Sequence, residues 1–136
     1  MFDATQYATL RAVIDRMIPR DDAPGGLDAG VDRYILHLLQ HDGVGYSALY
    51  MSLLDALQHE AHVRHNLAFA QLSAHDADAI LHAFARSESS AVLPANAAWC
   101  IATVAEHCAE GFYADPRQGG NHDTVSWQMI GFEERR

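Results

Sequence analysis

Apolar residues recur every three to four positions along most of the chain, and no stretch keeps up the strict alternation of a β-strand. Asp3 and Gln6 have capping-box spacing, after which Tyr7, Leu10, Ile14, Met17 and Ile18 share one face of a helix that Pro19 should stop. The turn cluster RDDAPGG, Arg20 to Gly26, comes next, and Asp28 is placed to cap a second helix carrying Val31, Tyr34, Ile35, Leu38 and Leu39 inside. HDGVG, His41 to Gly45, closes it. A third helix bears Tyr46, Leu49, Tyr50, Leu53, Leu54 and Leu57 on one stripe, continued by the polar series His59, His62 and His65, whose end should be exposed. Ser73, with Asp76 three residues on, opens a fourth helix with Ala77, Ile80, Leu81 and Phe84 as its inner face. After the break at SESSAVLP, a fifth runs from about Pro94 to Phe112 with Ala97, Ile101, Val104, Ala105, Cys108 and Phe112 inward.

The pattern predicts an all-α fold: a single domain over residues 1–136, a compact bundle of about five helices spanning about 5–112, and an irregular aromatic tail over about 111–136. The tail begins GFYADPRQGGN. Asp115-Pro116 starts a turn, Gly119-Gly120 permits backbone angles closed to other residues, and Asn121 or Asp123 can bond the adjacent backbone. Around this loop stand Phe112, Tyr113, Arg117, Trp127 and Phe132, with Met129 and Ile130 between. Two readings stay open. These side chains close the core from outside, or they lie against another protein, where Tyr, Trp and Arg are the usual anchors.

Charge narrows the partners. Eighteen acidic residues face nine arginines and no lysine, a formal net charge of −9 at pH 7, which repels nucleic acid and anionic membrane alike. Without lysine there is no Schiff-base chemistry and no phosphate-binding P-loop. No apolar run approaches the roughly 20 residues of a membrane helix, so direct insertion is not expected. The start MFDATQYATL lacks the regions of a signal peptide, which implies a cytoplasmic location unless a leader has been removed or the chain is exported as part of a complex. Cys100 and Cys108 lie about 12 Å apart along one helix, beyond the roughly 7 Å that a disulfide spans. They should be buried thiols; a bridge to another chain is the alternative.

Nine histidines raise the question of a metal. His37 and His41, at i,i+4, can face one side, but the HExxH form with its glutamate base is missing. His59, His62 and His65 step by three, so only adjacent pairs could chelate. None of the six glutamates heads a Glu-x-x-His pair of the di-iron type. Glu106, His107 and Glu110 cluster on one turn and could act as acid and base, against the plainer reading of a solvated face. There is no Gly-x-Ser-x-Gly elbow, and Gly119-Gly120 lacks the GxGxxG spacing of a dinucleotide site. From these residues alone, no catalytic, cofactor or metal site is expected in the chain, with a small metal-dependent or acid/base enzyme as the rival reading.

Two stretches together resemble one family. LRAVIDRMIPRDDAPGGLDAGVDRYI, Leu10 to Ile35, and GFYADPRQGGNHDTVSWQMIGF, Gly111 to Phe132, are similar to the gluconate 2-dehydrogenase subunit 3 family. The matching positions are Ile18, Pro19, Pro24 and Gly25, then Gly111, Phe112, Asp115, Pro116, Gly119, Gly120, Asn121, Trp127, Gly131 and Phe132. The resemblance implies a small subunit, without cofactor of its own, partnering an FAD-containing catalytic subunit of the glucose-methanol-choline type. FAD there takes hydride from a sugar or polyol hydroxyl and electrons pass onward, often through a cytochrome. It further implies that the small subunit supports its partner's folding and export, and that the matched residues are architectural. Many members begin with a twin-arginine leader, and this chain does not.

Overall fold

A computed structural model describes residues 2–20, 23–41, 44–88, 93 and 96–113. Among them are five α-helices, α1 (Ala4–Met17), α2 (Val31–Gln40), α3 (Ser47–His65), α4 (Ala74–Ala85) and α5 (Ala97–Tyr113), with short 3-10 turns at Val44–Tyr46 and Phe69–Gln71 and no strand. The all-α expectation holds.

Local chemistry sets the helix ends. Asp3 accepts from the Gln6 backbone N–H at 2.7 Å while the Gln6 side chain accepts from the Asp3 N–H at 3.0 Å, closing the capping box read from the sequence. Ile18, which precedes Pro19, leaves the helical region at φ −133° and ψ 77°, and α1 ends there. The Ser73 hydroxyl accepts from the Asp76 N–H and starts α4. Asn66, in the left-handed region at φ 55°, ends α3.

The turn after α1 is built around backbone contact. The Gly26 N–H donates to the Ile18 carbonyl at 2.8 Å. At Gly25 a Cβ would lie 2.7 Å from both Arg20 N and Ile18 O and 2.9 Å from Pro19 C, so no side chain fits. Asp28 does not cap α2. The N-cap position is Gly30, and Asp28 instead accepts from the Gly25 N–H at 2.9 Å and sits 3.5 Å from Arg20. The carboxylate serves the turn that precedes the helix, since that turn presents a closer unsatisfied donor.

α1 and α5 each touch all four other helices. Leu10, Val13 and Ile14 of α1, Val31, Ile35 and Leu39 of α2, Tyr50, Leu53, Leu54 and Leu57 of α3, and Ile80 and Phe84 of α4 are essentially sealed from solvent. α5 is turned from the expected setting. Ala105 is exposed and Ile101 only partly covered, while Cys100, Thr103, His107 and Gly111 join Val104, Cys108 and Phe112 inside. Small or hydrogen-bonded side chains let this helix approach its neighbours more closely than a search for large apolar residues suggests. Both thiols are buried and unpaired with each other, and burial pushes Cys108 up to about 12, where the nucleophilic thiolate is scarce at neutral pH.

Candidate functional site

Glu106, His107 and Glu110, read as a candidate acid/base cluster, part company on α5. Steps of 100° put His107 on the core side and both glutamates outside. The His107 ring, 7% exposed, shares a 2.8 Å hydrogen bond between Nδ1 and the Tyr50 hydroxyl and stacks on the Tyr50 ring at 5.8 Å. Tyr46 meets it edge-on at 4.9 Å. Burial lowers the His107 pKa, against a smaller upward pull from Glu110 and Glu106, so the ring is held neutral. Burial also drives the Tyr50 phenol far above its ordinary value, so its proton stays in place. This is a strut between α3 and α5, with neither partner turned to solvent.

Among the described residues the remaining histidines form no metal-binding group. His37 and His41 lie with ring centroids 4.3 Å apart on the exposed face of α2, and His59, His62 and His65 are spread along the exposed end of α3. Among the described residues no group of three or more His, Cys, Asp or Glu side chains could hold a metal ion.

A second polar cluster was not foreseen from the sequence. Asp32, 3% exposed, accepts from the Tyr7 hydroxyl at 2.6 Å and from Arg11 Nη1 at 2.8 Å, joining α1 to the first turn of α2. The bond to Asp32, then burial, raises the Tyr7 pKa. The available signal was the i,i+4 spacing of Tyr7 and Arg11 beside the apolar stripe of α1, together with an acid at a helix N-terminus, where the dipole favours it. Tyr7 and Arg11 also border a groove of about 600 Å³ with Leu27, Phe69 and Leu72. Its arginines, Arg11 and Arg16, are engaged by Asp32 and Asp78.

Of the residues expected to form the loop or a partner contact, Phe112 and Tyr113 lie inside α5, which runs one residue beyond the end expected at about Phe112. Phe112 is 3% exposed and belongs to the core; Tyr113 is half-exposed, its ring set edge-on to Phe112 at 5.0 Å. Asp115, Pro116, Arg117, Gly119, Gly120, Asn121, Trp127 and Phe132 lie outside the described residues. Gly111 is a packing position. A Cβ there would meet the Tyr34 ring at 2.7 Å, and the Tyr34 hydroxyl donates to Glu110 at 3.4 Å. Gly25 and Gly111, one from each matched stretch, therefore both mark places where the chain passes too close to a neighbour for any side chain. Trp99, 47% exposed on the outer face of α5, was not singled out from the sequence.

The chain matches the family model described as gluconate 2-dehydrogenase subunit 3 over residues 4–133. No curated protein and no solved structure matches it. The match covers nearly the whole chain, which belongs to the gluconate 2-dehydrogenase subunit 3 family. Membership of a subunit family implies a complex with a catalytic partner and suggests no cofactor in this chain.

Proposed function

We propose that this chain is the non-catalytic small subunit of a flavin-dependent dehydrogenase acting on a sugar, polyol or glycoside hydroxyl, keeping the FAD-containing catalytic subunit of the glucose-methanol-choline type folded and soluble and assisting its export. The observation that carries the reading is membership of a subunit family along residues 4–133. The geometry of α5 supports it. The histidine best placed by sequence for acid/base work is buried and committed to Tyr50, while Glu106 and Glu110 are exposed. In such a complex hydride transfer belongs to the flavin of the partner, and this chain contributes surface and stability.

The test is to co-express the chain with the flavoprotein of the adjacent gene and purify through a tag on this subunit. The expected result is a stoichiometric yellow partner that oxidises sugars with a dye acceptor and is insoluble or inactive when expressed alone. A colourless lone chain, with the flavoprotein fully active in its absence, would overturn the reading.

A further inference from the structure

The sequence of α5, AAWCIATVAEHCAEGFY, carries only two charged side chains in 17 residues. A helix so nearly apolar on all sides belongs in the interior of a fold or an assembly. One side of it is indeed buried, yet the other is not. Trp99 is 47% exposed and Tyr113 50%, and Ala102, Ala105 and Ala109 are exposed as well. Steps of 100° place Trp99, Ala102, Glu106, Ala109 and Tyr113 within about 80° of arc, a strip about 21 Å long. It has a large aromatic at each end, and between them the small side chains of Ala102 and Ala109 lie on either side of Glu106. The charges on this side, Glu106 and Glu110, are both negative, on a chain whose net charge is −9.

We propose that this outer face of α5 is the surface that receives the catalytic subunit, and that the partner presents to it an apolar ridge flanked by arginine or lysine. The inference rests on the subunit reading above and names the surface through which that reading operates. Three observations carry it. Alanines between two aromatics let another backbone come close while Trp99 and Tyr113 grip at either end, the arrangement in which aromatic anchors contribute most to binding. The two glutamates require basic partners once water is excluded, which selects the chemistry of the covering surface. Two half-exposed aromatics on so acidic a molecule have no role in solubility, since the net charge already supplies that.

The test uses the full chain co-expressed with the flavoprotein of the adjacent gene and captured through a tag on this subunit. Four variants accompany the wild type: Trp99→Ala, Ala109→Arg, Ala109→Glu, and Val63→Arg at a 68%-exposed position on α3 as the control. Wild type and Val63→Arg should retain the flavoprotein equally. Trp99→Ala and Ala109→Arg should bind it at least ten-fold more weakly, and Ala109→Glu should be the milder of the two Ala109 changes because its added charge matches basic groups opposite. Equal capture by every variant would overturn the inference and leave the subunit reading standing. Failure of the wild type to capture any flavoprotein would sink the subunit reading, and the inference with it. Melting of each isolated variant separates the other occupant: a drop of more than a few degrees for Ala109→Arg alone, with capture unchanged, would mean that residues 114–136 of this chain cover the strip.

Discussion

Replacing the Tyr50 hydroxyl by hydrogen would leave His107 Nδ1 buried without its 2.8 Å partner. The cost is the desolvation of an unmet polar group, so Tyr50→Phe should lose about 1–2 kcal/mol in urea unfolding, more than the bond itself contributes. The same site gives a pH dependence whose sign follows from burial. Unfolded, the imidazole titrates near its ordinary 6.5; folded, burial holds it lower. Between those two values the unfolded chain binds more protons. The contribution of His107 is therefore intact above about pH 6.5 and lost as the pH falls below it. Unfolding free energies at pH 7.5 and 5.5 should differ less in His107→Gln than in the wild type; an unchanged difference would mean that the ring is not held neutral. None of this was legible in the sequence. Spacing grouped His107 with Glu106 and Glu110 because the three are neighbours along the chain, whereas helical geometry turns the middle one 100° from Glu106 and 60° from Glu110, which is enough to bury it while both glutamates stay exposed.

Between elements, the close crossing of α2 and α5 depends on what is missing at Gly111. Alanine there would improve intrinsic helix propensity by about 1 kcal/mol, but its Cβ would strike the Tyr34 ring at 2.7 Å, with the ring's Cγ and Cβ at 3.0 and 3.2 Å. Contact with the root of the side chain as well as its edge means that Tyr34 cannot simply swing aside. Overpacking costs about 1–3 kcal/mol, so Gly111→Ala should be destabilised by about 1 kcal/mol net, while Gly45→Ala, where nothing lies within 4 Å, should show no such loss. Thermal melts of the two variants decide it. A glycine near the end of an apolar pattern ordinarily marks a helix stop, which is why the sequence reading began the tail at about Gly111 even while running the helix to about Phe112; α5 passes through Gly111 and ends at Tyr113. Where the signal was a local hydrogen bond, as with Asp3–Gln6 and Ser73–Asp76, sequence and structure agree to the residue. Where it depended on a neighbour distant in the chain, as with Tyr34 on Gly111, local readings compete and only packing chooses between them; Asp28 had two local uses, the start of α2 and the Gly25 N–H three residues back, and it serves the second.

For the whole molecule, charge and apolar surface act at different stages of association. A net charge of −9 acts over a Debye length of about 8 Å at physiological salt, drawing in a basic surface before contact. The strip bounded by Trp99 and Tyr113 acts only after water leaves, so it governs how long the complex lasts. Raising salt from about 50 to 300 mM should therefore slow association with the catalytic subunit several-fold and leave dissociation nearly constant. Trp99→Ala should do the reverse, hastening dissociation at either salt concentration with little change in the association rate. Surface-immobilised catalytic subunit with this chain in solution separates the two rates directly. An association rate independent of salt would remove the basic rim from the proposed partner surface, and a Trp99→Ala effect confined to association would mean that the tryptophan steers rather than anchors. An acidic chain with one apolar helix face is thus expected to arrive by charge and stay by burial, and the two variables can be changed one at a time.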